Sequence, residues 1–374
     1  MRVFLIAGEA SGDHLGADLI EALRQRNPAI ECYGAGGERM LAAGQRQSLD
    51  LASHGVIGIW DVLLQFPKYL RFFSQLVKDC SALQPNAVIL IDYPGFNMRF
   101  MRRIRAVLPQ TKIIYYVSPQ VWAWRPGRAA LLQKYADLLL SILPFEEAWF
   151  KERQPALKVA WVGHPILDRL FVSRGEDRDD ETTSVALLPG SREKEVRRHL
   201  PVMLAAAAIM NESRPARFIC LAPNARVGAL IKEIVAREVG YAIDVRVRIG
   251  YTTTHMSRCH LALVTSGTAT LECAVAGTPM VVYYHVGPFT YLPGKFLIKV
   301  PYLAMVNLLL NRGAVPELIQ VRARPAAMAR AALDLLSNPS RMQKQREDLD
   351  RAIGLLGGPG ASRRAAKEIL ELSY

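Results

Sequence analysis

The apolar run Val3-Phe4-Leu5-Ile6-Ala7 passes directly into GEASGDHLG, Gly8 to Gly16. Five apolar residues without alternation read as a strand buried on both faces. That strand delivers glycines, carboxylates and the start of a helix to one point. Open α/β sheets build small-molecule sites at such strand ends, so a site is expected here. The glycine spacing is GxxxGxxxG rather than the GxGxxG of dinucleotide binders, which argues against a nicotinamide or flavin cofactor.

Further strands are expected beside the one at residues 2–7, at 30–33, 87–91, 112–117 and 138–142, and again at 184–188, 217–221, 245–249, 261–264 and 280–284. Helical stretches separate them, the first near residues 14–26, and a glycine loop is expected at residues 34–37. Apolar strands alternating with helices imply mainly parallel sheets covered on both faces. The polar stretch RGEDRDDETT, residues 174–183, interrupts the pattern and marks a boundary or an exposed loop. The expectation is two Rossmann-like α/β domains, residues 1–173 and 174–345, facing across a cleft. A helical tail, residues 346–374, packs back on the first domain or is exchanged in a dimer.

The 374 residues suffice for two such cores. Lys and Arg number 47 against 34 Asp and Glu, a net charge of +13, and the pI is near 9.7. This balance favours anionic partners such as phosphorylated substrates or an anionic membrane surface. No zinc-finger spacing or aromatic RNA-binding signature accompanies it, so nucleic acid is the weaker choice. Five cysteines, odd in number and without a CxxC pair, fit buried thiols in a reducing, cytoplasmic compartment. No uncharged apolar run is long enough to span a bilayer, which leaves a soluble or peripheral protein. His255, Cys259 and His260 match no common zinc pattern, and no metal or cofactor is called for.

Asp92 ends the apolar strand Val88-Ile89-Leu90-Ile91 and precedes Tyr93-Pro94-Gly95-Phe96-Asn97. A carboxylate there can take a proton from an attacking hydroxyl, or it can cap the following turn; position alone fits both. Glu9, Ser11, Asp13 and His14 form a candidate substrate loop, with helix capping the alternative for Asp13. In the second half, Pro189-Gly190-Ser191-Arg192 joins a tight turn to a hydroxyl and a guanidinium, and Ser266-Gly267-Thr268 opens a helix carrying Glu272. Both loops suit a diphosphate, with Glu272 placed for ribose hydroxyls; no Walker A lysine follows the glycines. Between Val56 and Val77, Ile59, Trp60, Leu63, Phe66, Tyr69, Phe72 and Phe73 are interspersed with basic residues, which suits either core packing or a membrane and acyl-chain contact. Phe289 to Tyr302 is a second apolar and basic stretch.

The strings GEASGDHLG, IDYPGFN, YYVSPQVWAWRPGR, LPFE, LLPGSREKEV, SGTATLECAVAGTPMVV, the Asn307 segment and VPELIQ resemble, in order and spacing, the lipid-A-disaccharide synthase family. The resemblance implies an inverting, metal-independent hexosyltransferase of the glycosyltransferase B fold that needs no cofactor. Its donor would be UDP-2,3-diacylglucosamine and its acceptor 2,3-diacylglucosamine 1-phosphate, joined by a β-1,6 linkage at the cytoplasmic face of the inner membrane. A homodimer with an exchanged C-terminal segment is also implied. Carried over residue by residue, Asp92 resembles the family's essential carboxylate, Arg192 its donor-diphosphate contact and Asn307 its donor-site amide. Gly190, Ser191, Ser266, Gly267, Thr268 and Glu272 resemble its nucleotide loops. Glu9, Ser11, Asp13 and His14 occupy the N-terminal site loop. Some members have isoleucine for His14 and a second aspartate for Gly95. Rival readings are another UDP-sugar transferase or epimerase, or a nonenzymatic membrane-surface module.

Overall fold

The computed structural model describes residues 1–51, 66–169, 182–238, 243–250, 252–287 and 300–373. The chain divides into two compact units: Met1–Asp168 with Leu356–Tyr374, and Arg169–Leu355. The first contains β1 (Arg2–Ala7), β2 (Glu31–Gly36), β3 (Arg46–Asp50), β4 (Ala87–Ile91), β5 (Lys112–Tyr116), β6 (Leu138–Ser141) and β7 (Val159–Trp161). They form one parallel sheet in the order β3-β2-β1-β4-β5-β6-β7. The second contains β8 (Ser184–Leu188), β9 (Arg217–Ala222), β10 (Val245–Ile249), β11 (Leu261–Thr265), β12 (Met280–Tyr284) and β13 (Glu317–Ile319), also parallel, in the order β10-β9-β8-β11-β12-β13.

Strand β1 shows why the apolar run does not alternate. Val3, Leu5 and Ala7 enter the core beneath the helix Ala10–Arg26, while Phe4 and Ile6 enter the core of the opposite face, with Phe96 and Phe100. Both directions of the pleat are therefore apolar. The second unit repeats this arrangement, with Val185 and Leu187 in one core and Ala186 and Leu188 in the other.

Several local expectations change. The first helix begins at Ala10, four residues before the expected start, because Glu9 is extended and its carbonyl accepts from the Asp13 N–H at 2.9 Å. The expected glycine loop is strand instead: β2 runs through Gly36. A Cβ on Gly34, whose φ is +132°, would lie 2.1 Å from the Leu5 carbonyl oxygen. Three strands absent from the sequence reading, β3, β7 and β13, are all sheet edges.

The expected boundary at 173/174 lies outside the described residues. That at 345/346 falls inside the helix Pro339–Gly354, whose Leu349 and Ala352 are in the second unit's core. The crossing back comes instead at Leu355 and Leu356. The last helix, Ala361–Ser373, then sinks Ala365, Ala366 and Ile369 into the first unit's core beside Leu19 and Leu23. Asp168 anchors it, accepting from the backbone N–H groups of Gly360, Ala361 and Ser362, the last at 3.0 Å. The Arg364 guanidinium donates to the carbonyls of Val162, Gly358 and Pro359. No helix among the described residues is long and apolar enough to cross a membrane.

Capping by Asp168 predicts that Asp168→Ala costs about 1 kcal/mol and lowers the thermal midpoint by roughly 3 °C. A midpoint unchanged in thermal unfolding would show that the helix docks without this cap.

Candidate functional site

In the first sheet the chain leaves β1 toward β2 on one side and leaves β4 toward β5 on the other, while β1 and β4 are neighbours with Ala7 opposite Ile91. Loops diverging from adjacent strand ends leave a crevice, the usual ligand position in such sheets. Gly8 and Glu9 leave β1 at this point, and Asp92 and Tyr93 leave β4.

Asp92 and Tyr93 both adopt φ of 47°, a left-handed conformation that costs a non-glycine residue about 1–2 kcal/mol. Side chains hold it. The Asp92 carbonyl accepts from the Tyr115 hydroxyl at 2.8 Å and from the Asn97 amide at 2.8 Å, and its N–H donates to the Tyr116 carbonyl at 2.9 Å. Asn97, fully buried, also donates to the Ile91 carbonyl at 3.1 Å. The turn lays the Tyr93 ring against Gly8, where an added Cβ would stand 2.1 Å from a ring carbon. Gly8 is thus required by the close approach of the two loops.

Burial pushes the Asp92 carboxyl up to about 6 from 3.8; the Glu9 charge raises it further, and a hydrogen bond from the Tyr93 backbone opposes them. Glu9 and Asp92 are therefore close enough to act on each other. Tyr93 is raised by burial, then by Tyr69 and Glu9. Gly95 is exposed, and an added Cβ there would meet nothing within 4 Å, so the space for a second carboxylate on that loop is open. In this chain the neighbouring negative charge comes from Glu9 on the other loop.

Two substrate-loop expectations separate here. Ser11 is exposed and His14 is partly buried, both on the first two turns of Ala10–Arg26. Asp13, by contrast, is buried and committed: its carboxylate accepts from the N–H groups of Gly37 at 2.7 Å, Met40 at 3.0 Å and Arg39 at 3.1 Å. It caps the short helix Glu38–Ala42, the alternative role expected for it. Among the proposed membrane contacts, Ile59, Trp60 and Leu63 lie outside the described residues. Phe66 opens the helix Phe66–Leu83. Tyr69, Phe72 and Phe73 are partly buried and pack on the first unit's core, with the rings of Tyr69 and Phe73 each 5.4 Å from that of Phe96. Most of the second apolar stretch, residues 288–299, also lies outside the described residues.

The second sheet has its own divergence point between β8 and β11, with Leu188 opposite Val264. The two loops singled out for a diphosphate leave these two strands. Gly190 has φ of +122°, and Glu195 folds back beneath the turn, accepting from the N–H groups of Ser191 at 3.2 Å and Arg192 at 3.3 Å and from the Arg192 guanidinium at 3.2 Å. Arg192 remains about half exposed. Gly267 and Thr268 are exposed at the start of the helix Thr268–Val275; Glu272 is partly buried on that helix. The free N–H groups and positive end of the helix attract anions. His199, which the sequence reading passed over, contacts the carbonyls of Pro189 at 3.1 Å and His285 at 2.9 Å and so ties the first loop to the exit of β12.

The Asn307 amide is held by groups of its own unit. It is buried; its oxygen accepts from Ala314 and Val315 N–H at 2.8 and 2.9 Å, and its nitrogen donates to the Val315 carbonyl at 2.9 Å and to Glu317 at 2.7 Å. Glu317 also accepts from the N–H groups of Leu303 and Ala304, both at 3.0 Å, and the Leu303 carbonyl accepts from the Ser266 hydroxyl at 3.0 Å. Through Glu317 and Leu303, Asn307 is linked to the Ser266 loop.

Comparison with known proteins gives a consistent result. The family model for lipid-A-disaccharide synthetase matches residues 3–371. Lipid-A-disaccharide synthase of Syntrophus aciditrophicus is 39% identical over 99% of this chain and 97% of its own. Among solved structures, the S. aureus MnaA–UDP co-structure has a TM-score of 0.69 at 12% identity, covering 99% of this chain and 96% of that one. CalG4, the calicheamicin glycosyltransferase, has a TM-score of 0.59 at 14% identity, covering 99% and 97%.

The environment of Asp92 makes two predictions. Folded Asp92 keeps its proton up to about pH 6, whereas an unfolded aspartate loses it near 3.8, so the native state binds more protons in that window and stability falls as pH rises through it. Asp92→Asn should be the more thermostable protein at pH 8, with the gain shrinking toward pH 4; a less stable variant at pH 8 contradicts this. Glu9→Gln should move the Asp92 titration downward, followed through the carbon-13 shift of its carboxyl, and an upward move would show that Glu9 does not act on it.

Proposed function

The chain belongs to the lipid-A-disaccharide synthase family and has the two-domain glycosyltransferase B fold, and from that premise we propose that it transfers 2,3-diacylglucosamine from UDP-2,3-diacylglucosamine to 2,3-diacylglucosamine 1-phosphate. The observation that carries the reading is the raised carboxyl of Asp92 at the divergence point of the first sheet. The anion-suited loops at the divergence point of the second sheet support it. A base titrating near 6 is ionised at neutral pH yet retains more proton affinity than an ordinary aspartate, which suits proton transfer from a sugar hydroxyl.

In the proposed single displacement, the acceptor 6-hydroxyl oxygen forms a bond to the donor anomeric carbon as the bond from that carbon to the UDP oxygen breaks. The hydroxyl proton goes to Asp92, the bonding pair leaves with UDP, and the anomeric configuration inverts. Ser191, Arg192 and the N-terminal turn of Thr268–Val275 neutralise the departing diphosphate, a role that otherwise falls to a metal ion. Glu272 accepts from the ribose hydroxyls, and Glu9 adds to the upward shift that burial gives Asp92. The net charge of +13 supports work at an anionic membrane surface, which we assign to the cytoplasmic face of the inner membrane.

Incubation of the purified chain with both substrates, followed by mass analysis, should give the β-1,6 disaccharide 1-phosphate and UDP in equal amounts and in the presence of EDTA. Release of an epimerised free sugar, or membrane binding without turnover, contradicts the reading. Asp92→Asn should lower kcat by about 10²-fold or more with a donor KM close to wild type; near-normal turnover removes Asp92 as the base. Arg192→Ala should raise the donor KM or lower kcat, and kinetics unchanged with varied donor remove its role.

A further inference from the structure

The first unit carries a concentration of arginine that the transfer chemistry above does not use. It lies where β4 and β5 end side by side. Arg99 stands on the helix Pro94–Val107, which begins immediately after Asp92 and Tyr93. Arg125 and Arg128 stand in the segment that follows β5, within SPQVWAWRPGR. Both guanidiniums stack on the one indole of Trp124, Arg125 with its central carbon 4.5 Å from the ring centroid and Arg128 at 5.5 Å.

Trp124 is a large aromatic residue that is 39% exposed, and the cations around it are not neutralised: no carboxylate among the described residues pairs with Arg99, Arg125 or Arg128. Burial, then Arg125, then Arg99, lowers Arg128 from its ordinary value, so both neighbouring charges press on Arg128. Bringing like charges together costs free energy that an anion would offset.

The segment is held from beneath rather than left to solvent. Trp122, two residues before Trp124, is buried and donates its indole N–H to Glu146 at 2.9 Å. The other Glu146 oxygen accepts from the N–H groups of Ile142 and Leu143 at 3.1 and 3.0 Å. This buried carboxylate ties the turn to the exit of β6, and the cations on the turn are pre-organised. Arg128 also acts electrostatically on Tyr115, whose hydroxyl donates to the Asp92 carbonyl. The arginines therefore belong to the same strand-end region as the proposed base.

We propose that Arg125 and Arg128, stacked on Trp124, together with Arg99 near Arg128, are the subsite for the phosphomonoester of the acceptor sugar. This rests on the reading of Asp92 as base for an acceptor hydroxyl. A guanidinium fork meets the oxygens of a phosphate in pairs, and the exposed indole face offers an apolar wall for the sugar ring. A phosphomonoester carries close to two negative charges at neutral pH and matches a cluster of three cations better than a neutral hydroxyl does. The subsite makes the enzyme select an acceptor bearing a phosphate, and it fixes the sugar at the end remote from the reacting hydroxyl.

The test uses the full chain and its Arg125→Ala, Arg128→Ala and doubly substituted forms, with 2,3-diacylglucosamine 1-phosphate and its dephosphorylated counterpart as alternative acceptors. Wild type should favour the phosphorylated acceptor by about 10²-fold or more in kcat/KM. Each substitution should raise the KM for that acceptor about tenfold, leave the donor KM unchanged and leave the dephosphorylated acceptor unaffected, and Arg128→Lys should recover part of the loss. Thermal midpoints equal to wild type identify the effect as binding.

A preference for phosphate that persists in the double variant overturns the proposal, as does an equal loss with both acceptors. It is overturned too if the variants lose binding to phosphatidylglycerol vesicles while keeping the preference, because the cluster then serves lipid headgroups. If wild type forms no disaccharide from either acceptor, the transfer reading itself fails. Calorimetric titration with the phosphorylated acceptor alone then decides the subsite: binding weakened by the substitutions supports it, and binding equal in all forms overturns it.

Discussion

The left-handed turn at Asp92 and Tyr93 is the constraint on which the rest of the first unit's site depends. A parallel strand that ran on in extended conformation would continue Asp92 along the direction of β4. Two consecutive residues at φ of 47° instead turn the chain sharply into the helix Pro94–Val107 at the edge of the sheet. Such a backbone persists because neighbours over-determine it. Tyr115 and Asn97 converge on the Asp92 carbonyl, Tyr116 takes its N–H, and Gly8 leaves the Tyr93 ring room to lie down. The same turn sets the burial that raises the carboxyl, so conformation and chemistry have one origin.

The two sheets solve the same problem with different means. In the first, the loops at the divergence point bring carboxylates together and raise the titration of one of them. In the second, the corresponding loops combine glycines at positive φ, an arginine and a helix start, all suited to negative charge. Glu195 accepts from the N–H groups of Ser191 and Arg192 and so satisfies two donors of the turn that follows β8. Asn307 and Glu317 back the Ser266 loop through Leu303.

Much of this is legible in the sequence, and the part that is not has physical causes. Strands such as β1 and β4, apolar at every position but the first of β1, announce burial on both faces and lie where that pattern puts them. The missed strands are edges: β3 alternates between exposed and partly buried, and β7 and β13 have three residues each, too few to show a period. Site residues divide in the same way. The location of Asp92 follows from a strand ending in a carboxylate. Asp13 and Asn307 carry the right chemical groups in the right motifs, but a side chain saturated by backbone groups and one open to a ligand look alike in sequence. Tyr115 reads as a core aromatic of β5, and nothing in its spacing reveals that its hydroxyl holds a strained carbonyl 23 residues away.

In the proposed mechanism the clamped left-handed turn is what makes Asp92 a base. The most direct measurement is the pH dependence of transfer by Asn97→Ala, which leaves every charged group in place and removes one of the two donors to the Asp92 carbonyl. The account predicts that kcat falls at least about tenfold with an unchanged donor KM, and that the acidic limb near pH 6 moves downward as the carboxyl becomes better hydrated. Wild-type kcat with the limb still near pH 6 would contradict it.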